Sequence, residues 1–188
     1  MKKLLLSSVF VLTMFIAFSG CSSDNDSEPE QMICPNGFTG SDCSTKLTPS
    51  KIFINKVVIQ AFPGVTPSGE LWDTGEDTSE FRPDLLILIK QGTAGTPIYI
   101  TPLENIKVDA NPSSDYTFTI SPGLVITQPL DLYGIEVGDF DGSIESSDLM
   151  VNKSFNVYDA ETNGFPSFIT ITDAATTFQA QIYLSYVW

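Results

Sequence analysis

Phe178-Gln-Ala-Gln-Ile-Tyr-Leu-Ser-Tyr-Val-Trp188 decides how this chain folds. Phe178, Ala180, Ile182, Leu184, Tyr186 and Trp188 alternate with Gln179, Gln181, Tyr183, Ser185 and Val187. A period of two sends one set of side chains to a core and the other to solvent, as in a half-buried β-strand. Working outward, Val57-Val58-Ile59, Leu85-Leu86-Ile87-Leu88-Ile89 and Ile169-Thr170-Ile171 are short apolar, largely β-branched runs bounded by Gly, Pro, Asn and Asp. Strands are predicted over 52–61, 84–90, 98–101, 104–109, 115–120, 131–138, 150–157 and 177–187, with 168–172 as a further candidate. No stretch sustains the 3.6-residue period of a helix, and there is no internal repeat. The expected fold is all-β: a single antiparallel eight-stranded β-sandwich over residues 50–188, long enough to bury one good core.

The other end of the chain reads as an export signal. Lys2 and Lys3 precede an apolar or small stretch from Leu4 to Phe18, and Ser19-Gly20 follows. That core is shorter than the roughly 20 residues of a membrane span, which fits a signal peptide over residues 1–20. Phe18-Ser19-Gly20-Cys21 resembles the lipobox of bacterial lipoproteins, with Phe where that family usually has Leu. The resemblance implies that Cys21 becomes the first mature residue and carries acyl chains such as palmitate. Each buried CH₂ contributes about 0.8 kcal/mol to holding the protein on a bilayer. The implied location is the cell envelope, lipid-anchored and at the outer membrane, with periplasmic or external display left open. Residues 21–32 form an acidic tether: Ser22 to Glu30 contains no apolar residue and four acids. Ser/Asp-rich stretches of this kind resemble surface-export signals of some Gram-negative lipoproteins, and a plain spacer accounts for them equally well.

The formal net charge is −14, and there is no histidine. Removing residues 1–20 takes two lysines and no acid, leaving seven basic groups against 23 acidic ones. A surface of that sign repels nucleic acid, so none is expected as a partner. Without histidine the chain lacks the commonest general base, the Ser-His and Cys-His nucleophile pairs, and the commonest zinc ligand. No Gly-x-Ser-x-Gly elbow is present either. With Cys21 given to lipid, Cys34 and Cys43 remain as a pair in an oxidising compartment, where a disulfide is the expected outcome. Cys34-Pro-Asn-Gly37-Phe38-Thr-Gly40-Ser-Asp-Cys43 is similar to the last disulfide loop of an EGF-like module. The other four cysteines of such a module are absent, which implies a truncated staple over residues 33–45, used for spacing or as a small contact surface.

The residues that carry chemistry fall between the strands. Asp139-Phe140-Asp141-Gly142 leads to Asp148 in one connection, and Asp73, Glu76, Asp77, Glu80 and Asp84 lie in an earlier one. Loops at one end of a sandwich cluster, so the two can meet. Converging carboxylates repel unless a cation sits among them. Calcium suits such a set because it takes 6–8 oxygen ligands in flexible geometry. Asp is also common in solvated turns, which is the competing account of the same residues.

Pro83-Asp84-Leu85-Leu86-Ile87 is similar to the Asp-Pro-Tyr-Val strand start of C2 domains, with Pro and Asp exchanged. Asp139-Phe140-Asp141 with Asp148-Leu149-Met150 resembles their third calcium loop. The last strand would take the place of the first strand in circularly permuted members. The resemblance spans residues 51–188 and implies Asp84, Asp139 and Asp141 as calcium ligands, with Asp73 and Asp148 next. Two departures bear on this. Asp73 and Asp84 are 11 positions apart, wider than the usual first-loop pair, which leaves Asp77 as a rival to Asp73. The third loop is one residue longer than is common, which moves Asp148 from its usual place.

Trp72, beside Asp73, is expected to pack in the core or against a loop rather than to reach a bilayer or a sugar. The function expected is non-enzymatic: a membrane-anchored, calcium-dependent binding or scaffold module with a glycan, lipid or protein partner. The alternatives are a structural or adhesive surface protein without metal and, further off, a glycan hydrolase built on two carboxylates.

Overall fold

The structure, a computed structural model, describes residues 32–73, 81–92, 94–159 and 164–188. Cys21, Asp77, the signal segment and nearly all of the tether lie outside the described residues. The chain divides into two units, Met1–Ile33 and Cys34–Trp188, and the strands of the described residues lie in the second.

Among the described residues, ten strands run in chain order: β1 (Phe38–Thr39), β2 (Thr45–Lys46), β3 (Lys51–Ala61), β4 (Leu85–Gln91), β5 (Pro97–Ile100), β6 (Tyr116–Ile126), β7 (Leu132–Asp139), β8 (Asp148–Asn156), β9 (Phe168–Asp173) and β10 (Phe178–Val187). β1 and β2 make a small hairpin, and the other eight form two four-stranded sheets ordered β6-β3-β10-β9 and β5-β4-β7-β8. Every pairing within them is antiparallel. The fold is therefore the all-β antiparallel sandwich expected from the sequence.

Two predicted segments trade places. Residues 104–109 form no strand: a 3₁₀ turn, Leu103–Asn105, follows Pro102, Asp109 takes a positive φ of 52°, and only Lys107 bridges, to Leu85. Such a backbone cannot sustain a ladder. The candidate at 168–172 is instead the edge strand β9.

The core follows the alternation. Ile52, Ile54, Val57 and Ile59 of β3 and Phe178, Ala180, Ile182 and Leu184 of β10 face Leu85, Ile87 and Ile89 of β4 and Tyr133, Ile135 and Val137 of β7. β3 keeps its apolar set inward despite an irregularity between Ile54 and Lys56, where its register shifts against both β6 and β10.

Pairing also fixes the two poles. Lys51 opposite Val187 marks one end of β3, and Ala61 opposite Gln179 marks the other, roughly 35 Å away at 3.3 Å per residue. Near Lys51 and Val187 lies the Cys34–Cys43 disulfide loop, with Cα atoms 5.2 Å apart. Gly37 and Gly40 take positive φ in it, and Phe38 packs edge-on to Phe165 with ring centroids 5.5 Å apart. Phe165 in turn stacks on Tyr158 and meets Trp188 edge-on at 4.4 Å. The staple is thus docked on the sandwich through an aromatic cluster.

Candidate functional site

At the opposite pole, residues 62–73 and 81–84 converge with the connections 101–115 and 140–147. β7 delivers the central residue. Tyr133, Ile135 and Val137 point into the core, and the same period of two turns Asp139 inward at the end of the strand, where it is 0% exposed. A register shift between Val137 and Gly138 precedes it, and Gly138 lets β8 approach: a Cβ there would stand 3.2 Å from the carbonyl oxygen of Asp148. One carboxylate oxygen of Asp139, Oδ1, accepts the backbone N–H of Asp84 at 2.7 Å. The other, Oδ2, is buried and has no hydrogen-bond partner among the described residues. An unsatisfied buried carboxylate oxygen is costly, so its surroundings call for an explanation.

Those surroundings are acidic. Asp73, Asp139 and Asp141 each offer a carboxylate oxygen, and the three oxygens lie within 4.8 Å of one another. Asp73 is positioned by Trp72, which is 8% exposed, belongs to the core and donates its indole N–H to the carbonyl of Pro63 at 2.8 Å. The packing role expected for Trp72 is the one it has. Asp141 stands on a turn held by serine hydroxyls. Ser146 Oγ donates to the carbonyl of Asp141 at 2.8 Å and Ser147 Oγ to that of Ser143 at 2.7 Å, while Gly142 takes a φ of +84°.

Asp84 and Asp148 stand beside this trio without joining it. Asp84 contributes backbone: its N–H holds Asp139, and its carbonyl accepts the N–H of Phe140 at 2.9 Å. Its carboxylate Oδ1 accepts the N–H of Asp109 at 2.9 Å. Asp148 pairs across from Asp139 in the ladder and is exposed. Asp109 and the serines were not picked out in the sequence. Asp109 sits in Val-Asp-Ala-Asn-Pro, a turn composition that by itself signals only a loop. The inward direction of Asp139, by contrast, is written in the alternation of β7.

Electrostatics follow from the crowding. Burial raises the carboxyl of Asp139 to about 7, opposed by the Asp84 N–H and reinforced by the charges of Asp73, Asp141 and Asp84. Asp73 is also raised, first by desolvation and then by Asp84, Asp141 and Asp109. Asp141 is raised by desolvation and by the charge of Asp148, with the Asp148 N–H pulling the other way. Each shift marks a carboxylate whose charge is poorly compensated. A divalent cation would compensate it, and an all-oxygen donor set matches calcium better than zinc.

No protein-family model matches the chain, and no curated protein matches it. Among solved structures, the chain is similar to human GIVD cytosolic phospholipase A2, determined with methyl gamma-linolenyl fluorophosphonate inhibitor and terbium chloride. The TM-score is 0.42 at 12% identity, covering 74% of this chain and 18% of that one. The architecture described above stands on strand pairing and not on that likeness.

Proposed function

We propose that the chain is a bacterial lipoprotein whose C2-like sandwich serves as a calcium-dependent, non-enzymatic binding or scaffold module at the cell surface. Two observations on Asp139 carry the reading: its Oδ2 is buried with no hydrogen-bond partner among the described residues, and its carboxylate lies with those of Asp73 and Asp141 in a group whose oxygens are within 4.8 Å of one another. A cation there, held by Asp73, Asp139 and Asp141 and completed by carbonyls and water, would satisfy the orphaned oxygen and relieve the repulsion. The lipid anchor rests on the Lys2-Lys3, Leu4–Phe18 and Cys21 pattern, and the EGF-like loop has the role of a staple.

The test is a thermal melt of the mature chain with calcium and with excess chelator. Binding to the folded state alone stabilises it by about 2.7 kcal/mol at a hundredfold excess over Kd. Superimposed melts would remove calcium from the account and leave the structural or adhesive reading.

A further inference from the structure

The outer face of the sheet β6-β3-β10-β9 differs in chemistry from the rest of this acidic surface. Its four strands contain one acid, Asp173, which is engaged by Lys153 of β8 at 2.7 Å. In a chain with 23 acidic residues, the outward positions of these strands therefore present no carboxylate.

What they present instead is organised in rows by register. Phe168, Tyr183, Lys56 and Thr119 lie directly across from one another on the four strands. The Phe168 and Tyr183 rings are 5.3 Å apart, and Lys56 Nζ sits 4.0 Å from the centre of the Tyr183 ring. Phe168 is 40% exposed. Along β10 the neighbours are amides and hydroxyls already held in place. Tyr183 donates its hydroxyl to Gln181 Oε1 at 3.0 Å, Gln179 Nε2 donates to Gln60 Oε1 at 3.1 Å, and Asn55 Nδ2 donates to Ser185 Oγ at 3.0 Å.

We propose that this face binds an extended neutral polysaccharide, a β-linked glycan laid across the Phe168–Tyr183 row. The chemistry matches part by part. The C–H face of a pyranose packs on an aromatic ring, and its equatorial hydroxyls pair with amide and hydroxyl groups that both donate and accept. Side chains held before binding lose little freedom when a ligand arrives. The charge pattern selects a neutral chain: an acidic polymer would be repelled by the remaining surface, while Lys51 and Lys56 are too few to form a basic track. A protein partner would want a larger apolar centre than Phe168 and Val125 supply. The face lies along the body of the sandwich, so glycan binding needs none of the aspartates at the pole and is independent of calcium.

Affinity electrophoresis of the mature chain through gels holding laminarin, xylan, β-mannan or a mixed-linkage β-glucan tests this, with chelator throughout. At least one gel should retard the protein. Phe168→Ala with Tyr183→Ala should weaken that retardation by about tenfold or more, as for aromatic hot spots. Asp141→Asn should leave it unchanged. A thermal melt confirms that each variant folds. Should the aromatic pair fail to fold, Gln179→Ala with Gln181→Ala, both on the solvent side, replaces it and should also weaken binding. The proposal falls if no gel retards the protein, or if a folded face variant migrates as the parent does. It falls equally if retardation requires calcium.

Discussion

Replacing Asp139 by Asn separates the charge of this residue from its shape. In the folded chain the carboxyl titrates at about 7, against about 3.9 in an unfolded one. The sign follows from linkage. Between those two values the folded protein holds a proton that the unfolded protein has lost, so stability falls as pH rises from about 4 to about 7 and levels off above that. Three pK units correspond to about 4 kcal/mol at 1.36 kcal/mol each. Asn keeps an oxygen for the Asp84 N–H and puts an uncharged amide donor in place of the unpartnered Oδ2, in a side chain grouped with the carboxylates of Asp73 and Asp141. Without calcium, near pH 8, Asp139→Asn should therefore melt about 10 °C above the parent, taking roughly 2–4 °C per kcal/mol for a domain of this size. Near pH 4 the two should melt together. With calcium the order should narrow or reverse, because the parent gains a ligand-bound state and the variant loses a ligand. Scanning calorimetry at the two pH values, with chelator and then calcium, gives all four numbers. Equal melting of parent and variant near pH 8 in chelator would refute the view that a buried, uncompensated carboxylate governs this pole.

Three further outcomes follow from particular contacts. Trp72→Ala empties a core position and releases Asp73, so urea titration should show a loss of about 3–5 kcal/mol and calorimetry a weaker calcium response. Gly37→Ala places a Cβ 2.6 Å from the Phe165 and Trp188 rings at a φ of +87°, and should destabilise by about 1–3 kcal/mol, read as a drop in melting temperature. Cys34→Ser with Cys43→Ser opens a short loop with a sequence separation of 9, and the lost chain constraint should cost about 2–3 kcal/mol in denaturant midpoint analysis.

Sequence and structure divide the molecule in an instructive way. The alternation from Phe178 to Trp188 identified a strand with one buried face, and that strand is β10, paired on both sides within its sheet. The two acidic connections were visible as composition, and Gly142 as the place where the second one turns. Asp109 was invisible because its part depends on a backbone N–H, and every residue but proline has one. Asp84 shows the same limit from the other side: its resemblance to a ligand position rests on a carboxylate, whereas its closest tie to Asp139 is through the main chain. The segment 104–109 read as a strand because apolar Ile106 and Val108 alternate with polar neighbours, yet pattern alone cannot reveal that Asp109 turns to positive φ.

By itself, then, the sequence determined the all-β class, the alternation that fills the core and the absence of histidine chemistry, because these depend on local periodicity and residue type. Only tertiary structure decided which acids meet. Asp73, far back in the chain, comes within 4.8 Å of the neighbouring pair Asp139 and Asp141 because strand register brings the ends of distant connections to one pole. The same register lined up Phe168, Tyr183 and Lys56 across separate strands, and a linear sequence carries no measure of that distance.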